Sequence, residues 1–300
     1  MTSLGAPDGG APKSRHRIPT LARRKDGDTV KTILVPLDGS PASVHAATIA
    51  AGVAPLWGAD LVIATVASLP DQAELDLQEV RRQVGVESAR IEVIRSTDVL
   101  GTIADLVESF PDPVICMTAH GRGALSRAIV GGVTEQTLEC VSCPVLLVGP
   151  QCAPTWPAHA HRMLACLDES ETSNPIIEPA AAWAHELGLE LWLAEIFHTR
   201  DVDSHEAPYR FLDTVVARLR PELPDVRACV SWNSDVAGEI VHLARSLSVS
   251  MVVMGTHGLE GFERFAFGSV AMSVVHRAPC PVLVVGPAAR HRAGEPSTGD

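Results

Sequence analysis

"VICMTAHGRGALSRAIVGGVTEQTLECVSCPVLLVGP" (Val114–Pro150) and "MVVMGTHGLEGFERFAFGSVAMSVVHRAPCPVLVVGP" (Met251–Pro287) decide the architecture of this chain. They align without a gap at a constant offset of 137 residues, which sets His120 on His257, Gly121 on Gly258, Gly131 on Gly268 and Pro144 on Pro281. The openings of the two units align as well. "TILVPLDGS" (Thr32–Ser40) matches "RMLACLDES" (Arg162–Ser170) at an offset of 130, placing Asp38 on Asp168. A repeat unit longer than a hundred residues is a whole domain, because a solenoid unit is several times shorter.

Each unit alternates short apolar runs with segments of helical periodicity. In the first, "TILVPL", "DLVIATVA", "ARIEVIRS", "DPVICMTA" and "PVLLVG" read as strands, with helices in "SVHAATIAAGVAPLW", in "DVLGTIADLVES" and from about Gly132. The second repeats the order: "MLACLD", "PIIEPAAAWAHEL", "ELWLAEIF", "VRACVSW", "AGEIVHLARSL", "SMVVMGT", a helix at Ser269, and "PVLVVG". Continuously apolar strands alternating with helices predict parallel sheets covered on both faces. The expected fold is therefore two tandem five-stranded parallel α/β sandwiches of Rossmann-like type, related by a pseudo-two-fold. The closing strands "PVLLVG" and "PVLVVG" are apolar throughout, and as bare edges they would aggregate. We expect them to pair with each other. The expected boundaries are a basic tail over 1–29, one domain over 30–150, a linker over 151–160, a second domain over 161–287 and a polar tail over 288–300. Both tails are expected to be mobile.

The net charge of -12 argues against a nucleic-acid partner held by phosphate attraction. The segment Ala46–Ala59 is broken by Pro55 and followed by Asp60, so it does not read as a membrane span, and residues 1–30 carry no apolar run of secretory type. A cytoplasmic protein is expected. Of the seven cysteines, Cys116, Cys166 and Cys229 lie in or beside apolar runs, and Cys140 and Cys143 form a lone C-x-x-C. With no second pair, that motif reads as structural and not as a zinc site. The twelve histidines form no metal box, and no metal ligand set is predicted.

The stretch from Met254 to Val270 carries Gly255, Gly258, Gly261, Gly268 and Ser269, and no lysine. "SMVVMG" is a strand and "SVAMSVVHRA" a helix, so Gly255–Gly258 form the turn at a strand's carboxyl end. Gly268 and Ser269 then open a helix, with Ser269 expected as its N-cap. Backbone amides, the positive end of the helix dipole, a hydroxyl and no Cβ in the way make an anion site there. The Walker pattern and a clean GxGxxG are both missing. On the residues alone, glycines that merely shape tight turns remain an equal reading.

The spacing Gly255-x2-Gly258-x9-Gly268-Ser269 resembles the nucleotide motif G-x2-G-x9-G-[S/T] of the universal stress protein family. The strand–Asp openings and the closing "CPVLVVG" are similar to that family too, and the likeness covers about residues 30–150 and 160–287. The resemblance implies an adenine-nucleotide alpha-hydrolase-like fold with bound ATP and Mg2+. It implies phosphates on the Gly-rich turn, adenosine near Asp168 and Asp38, and backbone for adenine near Ile196 and Val66. In the second unit the implied contacts are Asp168, Ile196, Gly255, His257, Gly258, Gly268, Ser269 and Val270. In the first unit they are Asp38, Val66, Gly121, Arg122, Gly131 and Gly132.

The first unit departs from the motif. Thr118 stands where Gly255 does, and Gly132 where Ser269 does, which adds a Cβ and removes a hydroxyl. The second unit is accordingly expected to be the better site. Its own departure is Glu169, which stands where the first unit has Gly39. "LDGS" and "LDES" lack the G-x-S-x-G nucleophile pattern, and no general base is evident. His120 and His257 read as locally packed turn residues. The function expected is an ATP-binding stress-response or signalling protein, regulatory and at most a slow ATPase. A slow ATP-hydrolysing enzyme and a nucleotide-independent scaffold stay open, as do a homodimer and a regulatory protein partner.

Overall fold

The computed structural model describes residues 31–67, 70–119, 132–157, 161–168, 174–199, 209–255 and 268–285. The expected tails lie outside them. The first unit contributes β1 (Thr32–Pro36), α1 (Pro41–Trp57), β2 (Asp60–Val66), α2 (Pro70–Val84), β3 (Arg90–Ile94), α3 (Val99–Ser109), β4 (Pro113–Thr118), α4 (Gly132–Cys140) and β5 (Val145–Val148). The second contributes β6 (Arg162–Leu167), α5 (Asn174–Leu187), β7 (Glu190–Phe197), α6 (Arg210–Leu219), β8 (Val226–Trp232), α7 (Val236–Ser246), β9 (Met251–Gly255), α8 (Ser269–Arg277) and β10 (Val282–Val285).

Local chemistry sets the helix ends. Ser40 caps α1 by accepting the Ser43 amide at 3.2 Å, Pro41 supplies a preset φ at the first turn, and Gly58 ends the helix at φ 60. Asp98 caps α3 through the Gly101 amide at 3.0 Å, and Asp235 caps α7 through the Gly238 amide at 2.8 Å. These two caps are equivalent residues of the repeat.

The strands form one ten-stranded sheet in the order β3-β2-β1-β4-β5-β10-β9-β6-β7-β8. Within each half every pairing is parallel. At the seam β10 pairs antiparallel with β5, with Leu283 opposite Leu146. The order reads the same from either end, as a pseudo-two-fold requires. The expected pairing of the closing strands is therefore present, but the expectation of two separate five-stranded sheets is corrected. Leu146, Leu147, Val282, Leu283 and Val284 are fully buried, so both faces of the seam strands need helical cover. Backbone bonding between them removes two exposed edges and fuses the sheets.

One face of the sheet buries α1, α2, α5 and α6, and the other buries α3, α4, α7 and α8. Across the first face Trp57 of α1 meets Trp183 of α5 edge-on, with ring centroids 3.8 Å apart. The segment after β5 is not a loose tether. The Ala153 amide donates to the Pro279 carbonyl at 2.8 Å, His45 Nε2 bonds the Ala153 carbonyl at 2.8 Å, and Trp156 is buried against Gly52 of α1. A Cβ on Gly52 would lie 2.4 Å from Trp156 Cβ, so the glycine makes room for the indole. No helix among the described residues is long and apolar enough to cross a membrane.

Candidate functional site

In a doubly wound sheet, ligands sit beyond the strand carboxyl ends where strand order reverses. In the second half that point lies beside β6, which runs between β9 and β7. Leu167 pairs with Glu195, so Asp168 comes level with Ile196 of β7. Ala165 pairs with Val253, which brings Gly255 level with Leu167. Asp168, Ile196 and Gly255 thus share one edge.

The helix α8 starts from that edge. Its N-cap is Gly268 (φ -58, ψ 144), whose carbonyl accepts the Met272 amide at 2.9 Å. This corrects the expectation that Ser269 is the cap: Ser269 is the first helical residue and is exposed, as is Val270. A serine cap would turn its hydroxyl back onto the first-turn amides; the glycine makes no side-chain cap bond. Ala271, Val274 and Val275 are buried and seat the helix on the sheet. His257 and Gly258 lie outside the described residues, as does Glu169.

The first half repeats this geometry with differences. Asp38 follows β1 and accepts the Ser40 amide at 2.9 Å across Gly39 at φ 75, so the aspartate shapes the turn that starts α1. Val66 ends β2 opposite Ile94. Gly132 opens α4 and is exposed. Thr134, buried, donates its hydroxyl to the Thr118 carbonyl at 3.0 Å and ties the helix to the end of β4. The second half has Ala271 and Gly255 at those two places, so it has no such tie. Gly121, Arg122 and Gly131 lie outside the described residues. Because β5 and β10 run antiparallel, the two candidate edges face opposite ends of the sheet.

One polar cluster escaped the sequence reading. Glu239 in the first turn of α7 accepts from Ser231 Oγ and Asn233 Nδ2, each at 2.8 Å, and Ser231 is in register with Ile196. Comparison at the 137-residue offset carried the signal, since the first unit has Ile94 and Thr102 there. Among the described residues no group of three or more His, Cys, Asp or Glu side chains is arranged to hold a metal ion.

Below this edge, Asp235 joins the two helices of the site's face. Besides capping α7, its Oδ2 accepts Arg277 Nη1 and Nη2, each at 3.1 Å. The Gly238 amide, and then the Arg277 guanidinium, hold its carboxyl below the usual range. A depressed carboxyl stabilises the fold above its unfolded pKa and loses that contribution as pH falls through the folded value. Asp235→Asn keeps a good cap and removes the charge. It is expected to lower unfolding stability at pH 7, and the difference from the parent should close below about pH 4. Urea titrations across that range measure it.

A palindromic sheet of two doubly wound halves defines a tandem α/β protein. The universal stress protein family model matches residues 29–149 and 159–286, and the chain belongs to that family. A universal stress protein of Mycobacterium tuberculosis is 28% identical over 229 residues, covering 68% of this chain and 76% of the relative. One from Bacillus subtilis is 25% identical over 145 residues, covering 42% of this chain and 98% of its own length. Among solved structures, a universal stress protein from Archaeoglobus fulgidus superposes with a TM-score of 0.64 at 21% identity, covering 85% of this chain and 96% of its own. That likeness speaks for the fold.

Proposed function

We propose that this protein is a nucleotide-dependent stress-response regulator that binds ATP at the carboxyl edge of its second unit. The observation that carries the reading is Gly268. The third glycine of the G-x2-G-x9-G-[S/T] spacing is the N-cap of α8 and makes no side-chain cap bond. Amides of the first turn then serve a phosphate, with the helix dipole adding positive potential and the exposed Ser269 adding a hydroxyl donor. Asp168 takes the ribose and Ile196 the base through its backbone, since both sit level at the same edge. Mg2+, when bound, neutralises phosphate charge, which suits a site without lysine. The division of labour is regulatory: the described residues of this edge bind and orient. The first unit binds more weakly, because the Thr134–Thr118 bond fixes α4 where backbone would have to adapt to a phosphate. This reading carries two domains, over 30–150 and 161–287, joined by a linker over 151–160, in a cytoplasmic protein.

Calorimetric titration of ATP tests this reading. Saturable binding is expected, with a stoichiometry near one, weakened when EDTA removes Mg2+. Absence of binding heat, together with no protection of the fold against thermal unfolding by ATP, would favour the scaffold reading.

A further inference from the structure

The segment after β5 meets the residues before β10 through one backbone bond, Ala153 N–H to the Pro279 carbonyl at 2.8 Å. A cysteine flanks each partner: Cys152 on one side and Cys280 on the other. Covalent geometry around such a bond keeps their two α-carbons within about 8 Å, and a disulfide spans roughly 4.4–6.8 Å between α-carbons. Both cysteines line a single cavity of about 310 Å³ with Pro157, Ala244, Val249 and Pro281. Both are largely buried, at 7% and 6% exposed. Neither belongs to the second unit's candidate nucleotide site, which lies at the opposite edge of that half: the cavity abuts Ser250 and Pro281, at the amino ends of β9 and β10.

We propose that Cys152 and Cys280 form an oxidisable dithiol, closed to a disulfide by a hydroperoxide that enters through this cavity. One thiolate attacks a peroxide oxygen. The O–O bond breaks, hydroxide leaves, and the sulfur becomes a sulfenic acid. The second thiol attacks that sulfur, the S–S bond forms, the S–O bond breaks and water leaves. Two thiols have then given up two electrons and two protons, and hydrogen peroxide has become two waters. Cross-linking fastens the linker to the amino edge of the second half, across the seam between β5 and β10. Burial pushes the Cys152 thiol up to about 12, and burial with the neighbouring Cys152 raises Cys280 as well. Both therefore stay mostly protonated at neutral pH, so the attacking thiolate is a minor species and closure is slow.

The test uses the full chain with the exposed Cys140 replaced by serine, so that surface oxidation does not intrude. Reduced protein is treated with hydrogen peroxide, denatured, alkylated and mapped by mass spectrometry. Two thiols should be lost, with Cys152 and Cys280 recovered in one cross-linked peptide pair that dithiothreitol releases. Adding Cys152→Ser should abolish that pair without unfolding the protein, as circular dichroism checks. Full alkylation of both cysteines after treatment that oxidises the partly buried Met272 would overturn the proposal. So would a cross-link to any other cysteine.

Discussion

Gly268→Glu should remove most ATP binding from a protein that remains folded. The glycine is the N-cap of α8, so its side chain would enter the space in front of the first-turn amides. Glutamate adds bulk there and a charge of the same sign as the ligand. Each charge-assisted hydrogen bond is worth roughly 1.5–3 kcal/mol. Loss of one or two weakens binding by about tenfold to a thousandfold or more, at a factor of ten per ~1.4 kcal/mol. Ser269→Ala, which deletes one hydroxyl from an exposed first-turn residue, should cost about tenfold or less. Gly131→Glu in the first unit should cost less than Gly268→Glu if the second unit is the principal site, as proposed. Calorimetry on variants whose circular dichroism matches the parent separates these cases. Undiminished affinity in Gly268→Glu would reduce these glycines to turn formers.

Gly149→Ala should be the most damaging single methyl among the described glycines. Gly149 follows β5 and lies against the end of α8, where a Cβ would sit 1.8 Å from the Val275 carbonyl oxygen and 2.9 Å from its carbon. The obstructing atoms are backbone of a helix seated by the buried Val274 and Val275, so no side chain can swing aside. The seam must part or α8 must tilt. Overpacking of a well-packed site commonly costs 1–3 kcal/mol, and obstruction by backbone places this change at roughly 3 kcal/mol or above. Gly132→Ala is the control: a Cβ there meets nothing within 4 Å. Denaturant unfolding should show Gly149→Ala strongly destabilised and Gly132→Ala near the parent. Equal stabilities would mean that the seam yields easily.

The inner strands were legible because their residues face helices on both sides and so appear as continuous apolar runs, while the half-buried edge strand β3 alternates. Pairing of β5 with β10 followed from the same fact, since a run such as "PVLLVG" has no polar face to show solvent. Fusion into one sheet is the consequence of that pairing, although hydrogen bonding between two halves leaves no mark on side-chain periodicity. Two helices, α2 and α6, went unread. In α2 the polar residues dominate, and of its two leucines Leu77 is buried while Leu75 is 61% exposed, so its apolar stripe is narrow. In sequence the docked linker reads as a spacer because Trp156 stands between Pro154 and Pro157 with no periodicity around it; its partner Gly52 is about a hundred positions away in the chain. At the candidate site, glycine spacing located the end of β9 and the start of α8, but the cap fell one residue earlier than Ser269. Ser is the stronger cap by propensity, and glycine takes the position here with extended backbone. Glu239 was missed because its partners Ser231 and Asn233 lie on the neighbouring strand and turn, and meet it only once β8 and α7 pack together.

Native mass spectrometry of the full chain, purified without added nucleotide and then titrated with ATP and Mg2+, tests the central claim most directly. The account predicts a species heavier by one ATP that saturates first, with any second ATP adding only at higher concentration, and loss of the first species in Gly268→Glu. A chain that stays at its unliganded mass throughout, or a first ATP retained in Gly268→Glu and lost in Gly131→Glu, would contradict it.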